Sequence, residues 1–156
     1  MDYFAHGFWS YILFHWMKKP WRAIAFGLLP DTGSWFIYMI YRIATFENIG
    51  QFSIEHIPDW VYTLYNISHS LFVAFAAIFA VYLIRKKLPV YMLAWPAAIV
   101  MDLFTHSREF LPTPFLWPIS AWRFPGISWG NGYFMIGNYI AIALCFAYIF
   151  LIKKKK

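Results

Sequence analysis

The sequence predicts an all-α protein: a polytopic membrane bundle of about five transmembrane helices, built as a single membrane domain over residues 1–156. Three observations predict it. Of the 156 residues, 62% are apolar and only 13% are charged, where an ordinary soluble domain carries about 25% charged residues. With a mean hydropathy of +0.53, too few charges remain to cover a water-facing surface. Uncharged apolar runs recur along the chain at lengths suited to a bilayer. The basic residues gather in short clusters that abut those runs: Lys18, Lys19 and Arg22, then Arg85, Lys86 and Lys87, then Lys153 to Lys156. Such placement marks cytoplasmic anchors beside membrane spans, not a nucleic-acid groove, despite a net charge of +6. The same composition excludes a disordered chain, a coiled coil and a disulfide scaffold, since Cys145 is the sole cysteine.

The runs place the spans. Tyr3 to Met17 is the first, short for a hydrocarbon core of roughly 30 Å, with Lys18 and Lys19 snorkelling at its end. Ala23 to Tyr41 is the second; Pro30 and Asp31 predict a break in it, with a new helix capped by Asp31 or Thr32. Trp60 to Ile84 is the third and cleanest, Leu88 to about His106 the fourth, and Tyr133 to Ile152 the fifth. Phe110 to Trp122 is apolar but holds Pro112, Pro114 and Pro118, so it reads as an outer interfacial or re-entrant loop. Asp2 and the lack of a basic leader argue against a cleavable signal peptide. With the basic clusters inside, the N-terminus lies outside and the C-terminus inside. The loop 42–59, with Arg42 against Glu47, Glu55 and Asp59, and the loop 107–131 then lie outside. Trp9, Trp16, Trp21, Trp60, Trp117, Trp122 and Trp129 form interfacial belts. Ala74-Phe75-Ala76-Ala77 and Gly126 to Gly132 offer small-residue surfaces for helix packing.

Ionisable groups within spans are costly and mark function. His6, Asp31, His69, Asp102 and His106 all fall in the outer half. Asp102 and His106 share a helix face at i, i+4 spacing, and His69 lies about 10 Å inside the third span. Three imidazoles and two carboxylates at one depth have the composition of a metal site, best suited to zinc, with manganese or iron as alternatives. Ser68 and Ser70 flank His69 as orienting donors. His15, at the inner end, reads as an interfacial histidine beside Lys18. A proton path through the same residues lacks polar groups in the inner half. The Asn66-Ile67-Ser68 sequon lies within a span, and Cys145 reads as structural.

Leu28-Leu29-Pro30-Asp31, Ile67-Ser68-His69-Ser70, Asp102-Leu103-Phe104-Thr105-His106-Ser107 and Thr113-Pro114-Phe115-Leu116-Trp117-Pro118 resemble the YdjM-like family of membrane-bound metal-dependent hydrolases of bacteria and archaea. His6 matches that family's histidine near the N-terminus, and the resemblance covers roughly residues 5 to 120. The chain departs from the family pattern at Thr32, Gly33, Leu64 and Ala98, where members often carry further acids or histidines. The resemblance implies a helical inner-membrane protein with a metal centre. Through a distant kinship to zinc phospholipases C, it also implies phosphoester hydrolysis.

The expected function is therefore a zinc-dependent hydrolase acting on an ester or phosphoester of a lipid or lipid-linked substrate, with no nucleic-acid partner. His6, Asp31, His69, Asp102 and His106 would hold one zinc ion or two. Glu109 or Asp31 would move the proton. Arg108 and Arg123 would hold a phosphate head group, and the loop 107–131 would close over the site. The alternative is a non-enzymatic protein: a metal-stabilised membrane scaffold, or a binding or transport protein.

Overall fold

A computed structural model describes residues 1–45, 57–109 and 111–153. Glu47, Glu55, Phe110 and Lys154 to Lys156, which enter the loop and topology expectations above, lie outside the described residues. The regular elements of the described residues are all helices, with no strand among them. Its order is α1 (Tyr3–Phe14), α2 (Trp21–Asp31), a π-helical turn (Thr32–Phe36), α3 (Ile37–Ala44), α4 (Asp59–Ser68), α5 (Leu71–Arg85), a 3₁₀ turn (Val90–Leu93), α6 (Ala94–Thr105) and α7 (Gly132–Lys153).

Among the described residues, two helices are long and apolar enough to cross a membrane: the continuous helix Trp21–Ala44, and Gly132–Leu151 within α7. A third arises if α4 and α5, bent by 55° at their junction, are one span. The first and fourth expected spans appear as shorter apolar elements. α1 has 12 residues, about 18 Å at the helical rise, and ends before His15. α2 is the hub, packing against α1 on one side and α6 on another, and α7 lies against α1. The contact between α1 and α2 is close because Gly27 faces Ser10, where a Cβ would come within 1.7 Å of the Ser10 hydroxyl.

The breaks fall elsewhere than expected. Pro30 does not divide the second span. The helix widens into the π turn instead, which absorbs the missing amide. The Ser34 hydroxyl donates to the Pro30 carbonyl (2.9 Å) and the Thr32 hydroxyl to the Leu28 carbonyl (2.8 Å). Neither Asp31 nor Thr32 caps a new helix. The expected clean third span carries the bend, at Ser68-His69-Ser70. There α4 ends and the Ser70 hydroxyl caps α5 by accepting from the Val73 amide (3.3 Å).

The described part of the proline-rich loop is irregular, as expected. It runs back beneath the bend, where the Phe115 carbonyl accepts from the Leu71 amide (3.0 Å). Further on, the amides of Ile127 and Trp129 donate to the carbonyls of Phe104 and Thr105 at the end of α6. Gly126 permits this approach, since a Cβ there would lie 2.6 Å from the His106 and Leu103 carbonyl oxygens.

A buried cluster of histidines and aspartates

Each helix that brings an ionisable residue inward does so at an end or an irregularity. Asp2 caps α1 by accepting from the Ala5 amide (3.0 Å), which sets His6 one turn inside, buried against α2 and α6. Asp31 closes α2 at the start of the π turn. His69 occupies the junction of α4 and α5. Asp102 lies in the last turn of α6, and His106 caps its end in an extended conformation.

All five converge. The His6 Nε2 lies 3.0 Å from Asp102 Oδ1 and 3.8 Å from Asp31 Oδ2. The His69 Nε2 lies 3.6 Å from both Asp31 Oδ1 and Asp102 Oδ2. The His106 Nε2 lies 3.5 Å from Asp102 Oδ1. Side-chain exposure is 0% for His69, 1% for Asp102, 2% for His6 and 7% for His106, against 15% for Asp31. The cluster is therefore closed on every side but that of Asp31.

The outer nitrogens of two imidazoles are held by main-chain carbonyls. The His69 Nδ1 donates to the Tyr65 carbonyl (3.2 Å) beside the Ser68 hydroxyl (3.0 Å). The His106 Nδ1 donates to the Leu111 carbonyl (2.7 Å). A proton fixed on Nδ1 leaves Nε2 of the neutral ring as a lone pair aimed inward. For His69 that lone pair has no partner, and neither does the facing Asp102 Oδ2. His6 differs: its Nε2–H donates to Asp102 Oδ1, and its buried Nδ1 is unpartnered. The amino group of Met1 also donates to Asp102 Oδ1 and to the His106 Nε2 (2.9 Å).

The donor chemistry fits a borderline-soft cation such as zinc, which takes imidazole nitrogen and carboxylate oxygen. Ligands about 2.1 Å from a tetrahedral zinc stand roughly 3.4 Å apart, and the separations around His69 Nε2 are 3.6 Å. Among the described residues, no group of three or more His, Cys, Asp or Glu is arranged so as to hold a metal ion. The atoms approach in pairs, and Asp102 Oδ1 is engaged by His6 and the amino group of Met1.

Comparison of the chain with protein-family models, with curated proteins and with solved structures returns no match.

The remaining expected residues lie outside the cluster. Glu109 is fully exposed; its own backbone amide and the Ser107 side chain bond its carboxylate, and with Arg108 nearby they hold it below the ordinary glutamate range. Arg108 is exposed beside it. Arg123 is half-buried, which lowers the pKa of its guanidinium against the opposing influence of nearby Tyr65. Ser68 bonds His69 as expected. Ser70 instead caps α5 and donates to the Trp117 carbonyl, locking the loop to the bend. His15 bonds the Ile12 carbonyl, away from the cluster.

Sequence reasoning missed Tyr65. Its ring lies 4.0 Å from that of His69. Its hydroxyl donates to the Leu111 carbonyl (2.9 Å) and lies 3.4 Å from the His106 Nδ1. The available signal was its i, i+4 relation to His69. Trp95, whose indole donates to the Ser68 carbonyl freed by the bend (2.7 Å), carried no such signal.

Proposed function

We propose that the chain is a multi-pass protein of a bacterial or archaeal cytoplasmic membrane whose buried cluster binds zinc and hydrolyses a lipid ester or phosphoester. In this reading α1, Trp21–Ala44, α4 with α5, α6 and α7 make five passes, with the N-terminus outside. The chain then belongs with the YdjM-like hydrolases. Support for that kinship comes from four residues, Asp31, His69, Asp102 and His106: they stand in the separate motifs that carry the resemblance, and they meet in one place.

One observation carries the metal reading. The His69 Nε2 and Asp102 Oδ2 are two buried acceptors, 3.6 Å apart, with no donor between them. Two lone pairs facing each other in a dry interior are costly unless a cation lies between them. His69, Asp102 and His106 would hold that cation and leave a position for water, with His6 fixing Asp102 by its hydrogen bond. Bound zinc supplies a Lewis acid and acidifies water. Asp31, partly exposed, takes the proton of the attacking water as its oxygen bonds the carbonyl carbon or phosphorus. The ester bond breaks, and Asp31 returns the proton to the leaving alkoxide. Arg123, on the loop beside Tyr65, is the cation best placed for a phosphate.

A second reading has its own support. Asp102 Oδ1 accepts from both His6 and the amino group of Met1, which suits a polar lock between helices, or a closed metal scaffold without catalysis. Elemental mass spectrometry of detergent-purified protein, with His69→Ala and Asp102→Ala, tests the choice. The hydrolase reading expects about one or two zinc ions per chain, lost in both variants, and release of product from phospholipid. Protein prepared without chelator that holds no metal overturns it. Bound zinc without any hydrolysis leaves the scaffold.

A further inference from the structure

We infer that the apolar groove between α1, α2 and α7 seats one acyl chain of a bilayer phospholipid and presents its head group to the buried cluster; this rests on the hydrolase reading above. The groove encloses about 370 Å³ and is lined by Tyr3, Gly7, Tyr11, Ile24, Leu28 and Phe146, among others. Its flanks, α2 and α7, belong to the two helices long enough to cross a membrane, so its opening faces hydrocarbon. A groove so placed is filled by an acyl chain, because lipid is the solvent there and gives a protein helix no hydrophobic drive to replace it.

Continuity with the cluster makes the groove more than a surface hollow. Leu28 stands three residues before Asp31, about 4.5 Å along the helix and on the same face. Asp31 is the one cluster member with appreciable exposure, at 15%. At that end the Tyr3 hydroxyl bonds the Thr32 hydroxyl across α1 and α2 (3.1 Å), a polar step where chain gives way to head group. The bed of the groove exists because residue 7 is glycine. A Cβ there would meet Leu28 at 3.6 Å and Ile24 at 3.7 Å, ordinary contacts. Alanine therefore fits, whereas a large side chain fills the groove. A second apolar hollow of similar volume, about 360 Å³, lies at Phe75, Ile78, Phe79, Tyr82 and Leu88 on α5 and the turn beyond it. None of these residues lies within a helical turn of a cluster residue in sequence, so the hollow serves as an internal reference for ordinary annular lipid.

The test is photolabelling in nanodiscs of phosphatidylglycerol doped with the same lipid carrying a diazirine on its acyl chain. The full-length protein is used as wild type, Gly7→Ala and Gly7→Phe, with Leu28→Trp as a second plug entering from α2. Label is expected on residues 3–11 and 24–28 in excess over residues 75–88. It should persist in Gly7→Ala and fall to the level of residues 75–88 in either plugged variant, because the side chain then occupies the volume of the acyl chain. A plugged variant counts only if its thermal midpoint matches that of Gly7→Ala. Equal labelling of both hollows in the wild type, or labelling unchanged by both plugs, overturns the proposal. Activity separates the two readings. If the groove seats substrate, Gly7→Phe raises KM for phospholipid by a larger factor than KM for a soluble short-chain phosphoester, and Gly7→Ala raises neither. If the wild type cleaves neither substrate while the labelling pattern holds, the hydrolase reading fails and the lipid site stands.

Discussion

His69→Gln gives opposite signs in the two readings of the cluster. In the metal-free wild type the His69 Nε2 is an acceptor facing the acceptors Asp31 Oδ1 and Asp102 Oδ2, each at 3.6 Å. A glutamine amide reaches the same region with N–H donors. It turns one acceptor–acceptor contact into a hydrogen bond worth about 1 kcal/mol. In chelator, His69→Gln is therefore at least as stable as the wild type. With zinc present the order reverses. Metal at a hundred times its dissociation constant stabilises the wild type by about 2.7 kcal/mol, or about 5–10 °C of thermal midpoint for a chain of this size. The variant, lacking the nitrogen lone pair, gains nothing. If His69 is instead a protonated bridge in a polar lock, the substitution removes charge-assisted bonds of about 1.5–3 kcal/mol each, and the variant is weaker with or without zinc. The assay is thermal unfolding by intrinsic fluorescence in detergent, with EDTA and with zinc. A His69→Gln protein less stable than the wild type in EDTA, with neither protein responding to zinc, refutes the reasoning.

Tyr65→Phe keeps the ring against His69 but loses the hydroxyl at the Leu111 carbonyl and the His106 Nδ1; zinc affinity falls about tenfold or more, read by titration against a competing chelator. Gly27→Ala forces a Cβ to within 2.8 Å of Ser10 Cβ and 1.7 Å of its hydroxyl and costs about 1–3 kcal/mol of thermal stability. Adding Ser10→Gly restores most of that loss, because the Ser10 hydroxyl has no hydrogen-bond partner to forfeit. Glu109→Gln leaves the thermal midpoint and metal content unchanged, as expected for an exposed carboxylate, whereas Asp31→Asn abolishes hydrolysis of phospholipid measured by released head group.

The cluster was legible because the apolar runs make it so. An ionisable residue inside an apolar run is conspicuous against its neighbours, and depth along the helix sorts outer from inner ones. His6, Asp31, His69, Asp102 and His106 were found by that arithmetic alone. The helix irregularities were not legible in the same way. Pro30 advertised a break, yet the Ser34 and Thr32 hydroxyls and a single π turn absorbed it. Ser68-His69-Ser70 advertised little, yet the chain bends there by 55°. The partners that hold the bend are remote in sequence: the Trp95 indole on the Ser68 carbonyl, the Phe115 carbonyl on the Leu71 amide, and the Trp117 carbonyl on Ser70. No local propensity encodes them. Glu109 and Arg108 illustrate the converse error, since adjacency to His106 in sequence did not bring either side chain to the cluster.

The bend and the cluster are two parts of one arrangement. The His69 Nδ1 donates to the Tyr65 carbonyl, which also takes the His69 amide (2.9 Å) in the last turn of α4; the break at His69 frees the Ser68 carbonyl, which accepts from the Trp95 indole. The first bond fixes which nitrogen of His69 points inward. Charge then sets what the site requires. With both carboxylates ionised, Asp31 and Asp102 bring two negative charges into a nearly closed interior. The amino group of Met1 supplies one positive charge against them, and the imidazoles, if neutral, supply none. One charge is left unbalanced with that amino group, and two without it. Taking a charge from water into such surroundings costs several kcal/mol unless it is paired. With that amino group in place, one further positive charge completes the balance; a divalent cation, as proposed above, would balance both carboxylates only where the amino group of Met1 is displaced from Asp102.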